Sequence, residues 1–568
     1  MKRFLLATAA LAAAVAVFTL VELPPKPLAL DTSWGDGTIP GVLHIHTNRS
    51  DGLSTPDDIA AAAARVGLKF LVFTDHGDAT RAPDPPAYRS GVLCLDGVEI
   101  STSGGHYVAI GMDASPYPLA GESRDVVEDV HRLGGFGIAA HPDSPKPELR
   151  WTDWDAPIDG LELINLDTSW RVHMAEGGTK FELLRALFTY PFRSSETIGR
   201  LLTHSPELDQ HWNRVLSRGH VVGLAGADAH AKLVLLDDSA GNSRYWLPVP
   251  GYQPSLGVSS VHVRPASPLT GDATVDAAAI WKAIRGGQLH TAVDAWALPP
   301  LFEFTAANRS GTAREGNLLA IGGPVSLQVR SNAPSGFVTT IWRGSELVAE
   351  KAARELTVDA PDGPALYRAT IRDPNRPSAP PWVISNPIYV QAPAPAAPVE
   401  RRAPAATHLS LFDGQSTAGW TKESDTISVS AIDAVQMVTG MELRLRYGLS
   451  GGSAVGQYSG AAVETTRGVR DYDRIAFTVR GEHPMRLSIQ VRAEVPNAPP
   501  ERWQRSIYVD GTESERSVAF DDMRPVGVTH SPRLIPENVR AIMLIVDTTN
   551  SKPGASGRIW IKNVRLER

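Results

Sequence analysis

Residues 41–52 read GVLHIHTNRSDG, an apolar run that ends on two histidines placed two positions apart. Residues i and i+2 of a strand point to the same side of it, so His44 and His46 can bind one metal ion. Asp51 follows in the loop that leaves this strand. The stretch therefore predicts a β-strand over residues 41–46 that presents metal ligands at its carboxyl end.

Similar apolar runs follow along the first 230 residues, separated by helical patterns. Further strands are predicted at residues 69–74, 92–100, 107–111, 136–140, 160–165 and 221–225. Thr55 is the predicted N-cap of one helix, with Pro56 in its first turn, and Ser123 caps another that runs to about Leu133. Residues 179–216 also look helical and are interpreted as an insertion over the site. The alternation of strands and helices indicates a mainly parallel sheet, open or closed into a barrel.

Nine His, Asp and Glu side chains stand at or next to the ends of these strands. They are His44, His46, Asp51, His76, Glu99, His106, His141, Asp228 and His230. Active sites of parallel α/β barrels lie at the carboxyl edge of the strands, and imidazoles grouped with carboxylates suit Zn, Mn or Fe. A single histidine there is usually a hydrogen-bonded core residue, but burying nine ionisable groups without paired charges or metals is strongly unfavourable. Asp75 and Asp143 flank ligands and are predicted to orient imidazole rings.

This series of residues, over roughly positions 41–237, resembles the polymerase and histidinol phosphatase (PHP) family. The resemblance implies a distorted seven-stranded (βα) barrel that binds two or three divalent metal ions. It implies a first metal held by His44, His46, Glu99 and Asp228. It further implies a second metal, bridged by Glu99 and held by His106 and His141, and a third held by Asp51, His76 and His230. The predicted catalytic set is His44, His46, Glu99, His141 and Asp228.

The resemblance implies hydrolysis by a metal-bridging hydroxide, with a small-molecule or envelope phosphoester as the favoured substrate. Arg49, Arg171 and Lys232 are near enough in sequence to be candidate phosphate-binding residues. Two alternatives stay open. The same metal centre could act on a carbamate, amide or carboxylic ester. The chain could also be a non-enzymatic surface protein that binds metal ions structurally and binds glycans.

The helical signal disappears after the hydrolase domain, which is predicted over residues 38–305. Residues 306–391 alternate apolar and polar side chains and predict a small Ig-like β-sandwich. Its stretches at residues 342–344 and 380–390 resemble the small β-domain of a PHP subgroup that includes carbamate-ester hydrolases. Residues 392–406 form a predicted Pro/Ala linker.

Residues 407–568 predict a second, larger β-sandwich. Its stretches at residues 411–414, 419–420 and 559–564 are similar to those of galactose-binding-like jelly rolls, which often bind carbohydrate. An exposed Trp420 would favour stacking against a sugar, whereas a buried Trp420 would favour simple core packing.

The first 25 residues read as an export segment. Lys2 and Arg3 precede an uncharged apolar run from Phe4 to Val21, which predicts a signal peptide or an N-terminal anchor. The protein is thus expected in the periplasm or outside the cell, with this segment as its link to a membrane. The single cysteine, Cys94, is predicted to be a buried strand residue. The net charge is −7, and the sequence has no dense block of Lys and Arg residues of the kind that binds nucleic acid.

Overall fold

The computed structural model describes residues 1–176, 179–237, 243–391, 407–437, 440–452, 456–465 and 468–568. One compact unit is formed by most of the chain up to residue 391. The second is formed by most of the chain from residue 407, together with Ala79–Arg81 and Ala114–Gly121. The predicted Pro/Ala linker, residues 392–406, lies outside the described residues.

The apolar run near the N-terminus forms helix α1 (Lys2–Glu22). The mean hydropathy of Arg3–Glu22 is 2.5, so this helix is long and apolar enough to cross a membrane. Its last residue is held to the rest of the unit, because Arg200 donates a 2.7 Å hydrogen bond to the carbonyl oxygen of Glu22. Such a helix is compatible with a signal peptide or an anchor. The two-residue strand β1 (Leu28–Ala29) follows it.

The chain then forms a barrel. Its elements in chain order are β2 (Ile39–Ile45), α2 (Pro56–Arg65), β3 (Phe70–Phe73), β4 (Ala87–Arg89), β5 (Val92–Thr102), β6 (Gly105–Ile110), α3 (Ser123–Arg132), β7 (Phe136–Ala139), β8 (Gly160–Asn165), α4 (Leu166–Ala175), α5 (Lys180–Thr189), α6 (Ser194–Arg200), α7 (Pro206–Leu216) and β9 (Val222–Ala229). Seven strands close a ring in the order β2-β3-β5-β6-β7-β8-β9, since β9 also pairs with β2. The predicted seven-stranded barrel is confirmed.

One strand of the ring runs against the others. β6 pairs antiparallel with both β5 and β7, whereas the remaining pairs of the ring are parallel. The cause is the short connection between Thr102 and Gly105, which are paired with each other in the ladder. So short a connection can form a hairpin but not the crossover that parallel strands need. The sheet predicted as mainly parallel is therefore mixed at β6.

The two predicted helix starts had different outcomes. The Thr55 hydroxyl accepts a 3.2 Å hydrogen bond from the backbone N–H of Asp58, so Thr55 caps α2 as predicted. The prediction for Ser123 was wrong, because Ser123 is the first residue of α3 and Glu122 precedes it as N-cap. The Ser123 hydroxyl instead forms a 2.9 Å hydrogen bond with the hydroxyl of Thr102, a residue outside the helix.

The predicted helical stretch at residues 179–216 forms α5, α6 and α7. Thr189 at the end of α5 and Thr197 within α6 are joined by a 3.0 Å hydrogen bond between their hydroxyls. Ser205 caps α7 by accepting a 3.2 Å hydrogen bond from the backbone N–H of Leu208. The Phe18 ring of α1 lies 5.7 Å from the Phe188 ring of α5, so these helices also support α1.

The next segment extends the barrel sheet. Its elements are β10 (Leu233–Asp237), β11 (Ser243–Leu247), α8 (Tyr252–Leu256), β12 (Ser260–Val263), α9 (Ala273–Arg285), β13 (Leu289–Ala292) and β14 (Ala297–Leu298). β12 pairs antiparallel with the first residues of β2, and β13 pairs antiparallel with β12. The amino end of β2 thus belongs to the extension, and its carboxyl end belongs to the closed ring.

The small β-sandwich follows this extension and shares a sheet with it. Its strands are β15 (Phe302–Asn308), β16 (Gly311–Arg314), β17 (Leu318–Ala320), β18 (Val325–Ser331), β19 (Val338–Arg343), β20 (Glu346–Lys351), β21 (Glu355–Ala360), β22 (Ala365–Arg372), β23 (Val383–Ser385) and β24 (Ile388–Gln391). β15, β16, β18 and β21 form a separate four-stranded sheet. The other strands join the barrel sheet where β23 pairs with β13. One sandwich layer is therefore continuous with the barrel.

The second unit is a β-sandwich of two six-stranded sheets. Its strands are β25 (His408–Phe412), β26 (Trp420–Ser424), β27 (Val429–Met437), β28 (Gly440–Gly448), β29 (Tyr458–Glu464), β30 (Arg474–Gly481), β31 (Met485–Val495), β32 (Ala498–Val509), β33 (Ser514–Ala519), β34 (Arg524–Pro525), β35 (Val539–Asp547) and β36 (Ser556–Glu567). Trp420 is 8% exposed, packs in the core and donates a 2.9 Å hydrogen bond to the Leu411 carbonyl. This placement matches core packing and offers no platform for a sugar.

Candidate metal centre

The candidate ligands gather at the edge of the barrel where its parallel strands have their carboxyl ends, and His106 reaches this edge from the amino end of the antiparallel β6. His44 lies in β2, Glu99 in β5, His106 in β6 and Asp228 in β9. The other five lie in the segments that follow β2, β3, β7 and β9, and they are His46, Asp51, His76, His141 and His230. β9 is longer than the predicted strand at residues 221–225, so Asp228 stands within the sheet. The structure thus brings all nine predicted positions to one edge of the barrel.

The backbone at three of these positions is left-handed. The φ angle is 62° at His44, 29° at His141 and 47° at Asp228. For residues other than glycine this region is sparsely populated and costs about 1–3 kcal/mol per residue. Such conformations persist where the surrounding structure enforces them, and they cluster at functional sites. Here the unusual φ angles occur at ligand positions on three different strand ends.

Glu99 stands at the centre of the cluster and is almost completely buried. Its Oε2 faces three ring nitrogens, 3.2 Å from His44 Nε2, 3.1 Å from His46 Nε2 and 3.2 Å from His76 Nδ1. Its Oε1 lies 2.8 Å from His106 Nδ1 and 2.8 Å from His141 Nε2. The two oxygens therefore face two different sets of imidazoles, as a carboxylate that bridges two metal ions does.

Two further carboxylates complete the cluster. Asp228 Oδ1 lies 3.2 Å from His46 Nε2 and 3.4 Å from His44 Nε2. Asp51 Oδ1 lies 3.2 Å from His230 Nε2, and Asp51 Oδ2 lies 3.8 Å from His76 Nε2. Asp228 thus closes the buried side of the cluster, while Asp51, whose side chain is 46% exposed, closes the outer side.

Three ring orientations are fixed by bonds that leave one nitrogen facing the cluster. His44 Nδ1 lies 2.6 Å from Glu162 Oε1. His141 Nδ1 lies 3.0 Å from the Leu149 carbonyl, and His230 Nδ1 lies 3.0 Å from the Asp228 carbonyl. A carbonyl oxygen can only accept, so Nδ1 carries the proton in His141 and His230. Their Nε2 atoms face Glu99 and Asp51, and in the neutral rings these are the atoms that could bind a metal.

The donor set fits metal ions. Within the described part of the chain, the buried atoms His44 Nε2, both ring nitrogens of His46 and Glu99 Oε2 have no hydrogen-bond partner. Buried polar atoms are nearly always satisfied, so this convergence of unpaired ligand atoms fits a bound cation. The ligand atoms group within 4.8 Å of one another in three sets, which are His44/His46/Glu99/Asp228, His46/Asp51/His76/His230 and His76/Glu99/His106. The first set is the one implied for the first metal, and the second adds His46 to the set implied for the third.

The charges of the cluster depend on each other. Burial by itself lowers the pKa of His44, but Glu162, Glu99 and Asp228 raise it well above its ordinary value. Burial opposes ionisation of Glu99 and Asp228 as well, yet the imidazoles around them hold both pKa values well below the ordinary range. In the metal-free protein, protonated histidines would compensate these carboxylates, and bound divalent ions would take the place of those protons.

This coupling predicts a pH-dependent stability of the metal-free protein. Burial lowers the pKa of His141 and His230, but Glu99 and Asp51 raise both values to about 9. In the unfolded chain a histidine has a pKa of about 6.5. The stabilisation is therefore fully present below about pH 6.5 and is lost as the pH rises through about 9. We expect the unfolding temperature of chelator-treated protein to fall by several degrees between pH 7 and 9.5, measured by scanning fluorimetry.

Metal-loaded protein is the control for this prediction. Bound imidazoles are neutral throughout that interval, so the unfolding temperature of the loaded protein should stay nearly level. A flat profile in the chelated sample would show that the histidines are not protonated in the metal-free cluster.

Glu162 is a positioning residue that the sequence analysis missed. Besides His44, its carboxylate accepts 2.7 Å and 2.8 Å hydrogen bonds from the backbone N–H of His141 and the side-chain amide of Asn165. It thereby joins two ligand-bearing strand ends. The signal was present, since Glu162 is a lone acid in β8, where every residue is buried. A carboxylate there requires partners to compensate its charge.

The two acids predicted to orient imidazoles do something else. Asp75 accepts hydrogen bonds of 2.7 Å from the Thr47 N–H, 2.8 Å from the Thr47 hydroxyl and 2.7 Å from the Ser50 hydroxyl. It therefore holds the loop that carries Asp51. Asp143 is partly buried and interacts with Ser205, and its partial burial raises the pKa of its carboxyl. Both predictions failed because the partners were chosen by nearness in sequence.

The three candidate phosphate-binding residues differ in their surroundings. Arg49 pairs with Asp84, and Arg171 pairs with Asp167 one turn away on α4. In each case a carboxylate already contacts the guanidinium and would compete with a phosphate for it. Lys232 is half-buried and follows His230 by two residues. Cys94 is buried as predicted, and burial raises the pKa of its thiol to about 12.

Comparison with known proteins gives one partial relative. No family model matches the chain. The curated 3',5'-nucleoside bisphosphate phosphatase of Chromobacterium violaceum is 36% identical over 126 residues. The match covers 20% of this chain and 43% of that protein, so the chain spans less than half the length of this relative.

Solved structures of carbohydrate-binding modules also align with the chain. The family 11 module of the cellulosomal cellulase Lic26A-Cel5E of Clostridium thermocellum is 17% identical, with 29% of this chain and 96% of the module covered and a TM-score of 0.25. A family 30 module of the cellulosomal cellulase Cel9D-Cel44B of Clostridium thermocellum is 10% identical, with 28% and 96% covered and a TM-score of 0.23.

Proposed function

We propose that the chain is an exported PHP-type metal-dependent hydrolase that cleaves phosphoesters at the carboxyl edge of its barrel. The observation that carries the proposal is the convergence of nine imidazole and carboxylate groups, eight in overlapping ligand sets and His141 through its contact with Glu99, around buried ligand atoms without hydrogen-bond partners among the described residues. A structural metal site needs about four ligands and is closed, so a set of nine supports a multinuclear reactive centre. We further propose residues 38–305 as the hydrolase domain, with 306–391 and 407–568 as appended β-domains.

Different residues of the chain would have different roles at such a site. When bound, divalent ions polarise the ester and lower the pKa of a water molecule towards neutrality. Glu99 would join two ions through its two oxygens, and Glu162 would hold His44 and the His141 backbone in place. His44 and His46 are 1% and 0% exposed, whereas the side chains of His76 and Asp51 are 35% and 46% exposed. We infer that the substrate enters beside His76 and Asp51.

The charge of the site favours a phosphate over a neutral ester. Four carboxylates lie at the site: those of Asp51, Glu99 and Asp228 face the proposed ions, and that of Glu162 lies behind the His44 ring. They would neutralise two divalent cations, and a third cation beside Asp51 would leave net positive charge at the open side. Such charge attracts a phosphate dianion and does little for a neutral carbamate. The name of the partial relative, a 3',5'-nucleoside bisphosphate phosphatase, supports the same substrate class.

The proposal that the protein is exported rests on a separate feature of the chain. Helix α1 is long and apolar, and basic residues precede its apolar run. We propose that this segment directs the protein to the periplasm or the cell exterior, either as a cleaved signal or as an anchor.

The test compares a phosphoester and a carbamate that share a nitrophenol leaving group. We expect Zn- or Mn-loaded protein to hydrolyse the phosphoester at least about 100-fold faster, as a preference of roughly 3 kcal/mol requires. The rate should be lost in His44→Ala and kept in His408→Ala, which replaces an exposed histidine of the second unit. Adenosine 3',5'-bisphosphate and adenosine 5'-monophosphate extend the comparison to the substrate class of the relative.

The opposite preference would overturn the phosphoester assignment. Hydrolysis of the carbamate alone would establish the carbamate, amide or carboxylic ester alternative for the same centre. Bound metal with no hydrolysis of either compound would favour the non-enzymatic alternative. The buried position of Trp420 removes the feature that would have supported glycan binding in that alternative.

A further inference from the structure

A second cluster of ligand-type side chains lies at the other end of β2. His262 in β12 stands opposite Pro40, at the amino end of β2, and His290 in β13 stands opposite His262. Asp36 precedes β2, and its ligand atoms and those of the two histidines lie within 4.8 Å of one another. All three residues are buried. His44, the nearest candidate ligand of the centre at the carboxyl edge, lies four positions along β2 from Pro40, on the order of 13 Å, so this cluster is distinct from that centre.

The histidines of this cluster have unsatisfied ring nitrogens. Within the described part of the chain, His262 Nε2 and both ring nitrogens of His290 have no hydrogen-bond partner, although His290 is 0% exposed. Leaving a buried polar atom unpaired costs about 1–3 kcal/mol, so three such atoms in one place call for an explanation. The two rings stack with their centroids 4.9 Å apart and an angle of 11° between them. Parallel stacking does not pair their nitrogens with each other.

Asp36 is held in place beside the two rings. Its Oδ1 accepts hydrogen bonds of 3.0 Å and 2.7 Å from the N–H and hydroxyl of Thr38, and its Oδ2 accepts a 3.1 Å bond from the Phe302 N–H. A carboxylate offers about four lone pairs, so Asp36 keeps capacity for a cation. Its orientation is fixed by these bonds, as expected of a ligand supported from outside.

The remaining charges near the cluster are balanced. Arg264 lies 3.1 Å from Glu315 Oε1, so this cation and this anion compensate each other. That leaves the negative charge of Asp36 uncompensated beside the two buried histidine rings. Neutral imidazole is the form that coordinates metals.

We propose that Asp36, His262 and His290 bind one divalent metal ion, separate from the catalytic centre, that ties the barrel to the small β-sandwich. Two imidazoles and one carboxylate suit zinc or a similar borderline cation. The three ligands come from the segment before β2, from β12 and from β13. Phe302 of β15 both donates to Asp36 and packs its ring 5.1 Å from the His290 ring. The ion would therefore lock the first strand of the four-stranded sheet to the barrel extension.

The sequence analysis had left this site out. No local sequence pattern links His262 to His290, and Asp36 lies more than 220 positions before His262 in the chain. Antiparallel pairing of β2, β12 and β13 is what brings them together, and that pairing could not be derived from local patterns.

The first experiment counts metal ions per chain by mass spectrometry of the full-length protein after loading with Zn²⁺ and dialysis. The double variant His262→Gln/His290→Gln should bind one ion fewer than the parent protein. It should keep phosphoester hydrolysis within about twofold, since it leaves the catalytic centre intact. Equal metal content in the two proteins would overturn the proposal.

A second variant covers the case in which the first one fails to fold. The triple variant His46→Ala/His76→Ala/Glu99→Gln leaves at most two ligands in each set of the catalytic centre, and it keeps the new site whole. It should still bind one equivalent of Co²⁺ with visible absorption bands, and chelation should lower its unfolding temperature. Binding of no Co²⁺ in the folded triple variant would contradict the proposal, whatever the parent protein hydrolyses.

Discussion

Replacing Glu99 by glutamine is expected to lower kcat/KM for a phosphoester by about 10³-fold, a loss of several kcal/mol of transition-state stabilisation. Glu99 faces five imidazoles through two oxygens, at distances from 2.8 to 3.2 Å. An amide of the same shape lacks the negative charge and presents an N–H₂ donor to one side of the cluster. We therefore also expect loss of at least one bound metal ion, measured on the same samples.

A buried glutamate elsewhere provides the matched control. Glu442 is 1% exposed and pairs with Arg480 and Lys562 in the second unit. Glu442→Gln makes the same chemical change at equal burial, so it can lower stability but should leave kcat/KM and metal content unchanged. If Glu99→Gln retained full activity and metal content, Glu99 could not be the bridging ligand.

The second large effect is expected at Glu162, which touches no proposed metal ion. Glu162→Gln should lower metal affinity or activity by about 10- to 100-fold, the usual range for residues that support metal ligands. The reason is that Glu162 holds the His44 ring and the His141 backbone at once. Metal affinity is measured by competition with a chelator, and an unchanged affinity and rate would refute the positioning role.

A substitution at Gly226 tests the contact between Glu162 and His44 independently. A Cβ at Gly226 would lie 1.9 Å from Glu162 Oε1, so Gly226→Ala must displace the carboxylate and should reproduce the loss seen in Glu162→Gln. Gly223 on the same strand is the matched control. A Cβ there would meet Leu163 and Trp212 at 2.5 and 2.6 Å, which disturbs packing but not Glu162. Gly223→Ala should therefore lower stability while its folded fraction keeps normal metal affinity.

The barrel could be predicted because its strands are marked locally. Each apolar run is bounded by turn residues, and the strand at residues 160–165 was placed with the bounds that the structure shows. What failed was the direction of β6, since strand direction depends on the length of the connection and not on the strand itself. The same limit applies to Ser123, whose hydroxyl is taken by Thr102 on another element.

At the site, too, the features that depend on neighbours in sequence were predictable, and the contacts between distant parts of the chain were not. His44 and His46 are recognisable from their spacing on one strand, whereas the partners of Asp75, Arg49 and Glu162 come from other strand ends. Glu162 and His44 are 118 positions apart, although their side chains form a 2.6 Å contact. The candidate ligands at strand ends were therefore predictable from the sequence. The residues that orient those ligands were identified only from the folded chain.

The most direct test of the central claim is to reconstitute the metal-free protein. Chelated protein is titrated with Mn²⁺, and bound metal and hydrolysis of p-nitrophenyl phosphate are measured on the same samples. We expect no hydrolysis without metal, an increase once at least two ions are bound at the centre, and no increase in Glu99→Gln. Hydrolysis that survives complete chelation, or full metal binding without any phosphoester hydrolysis, would contradict it.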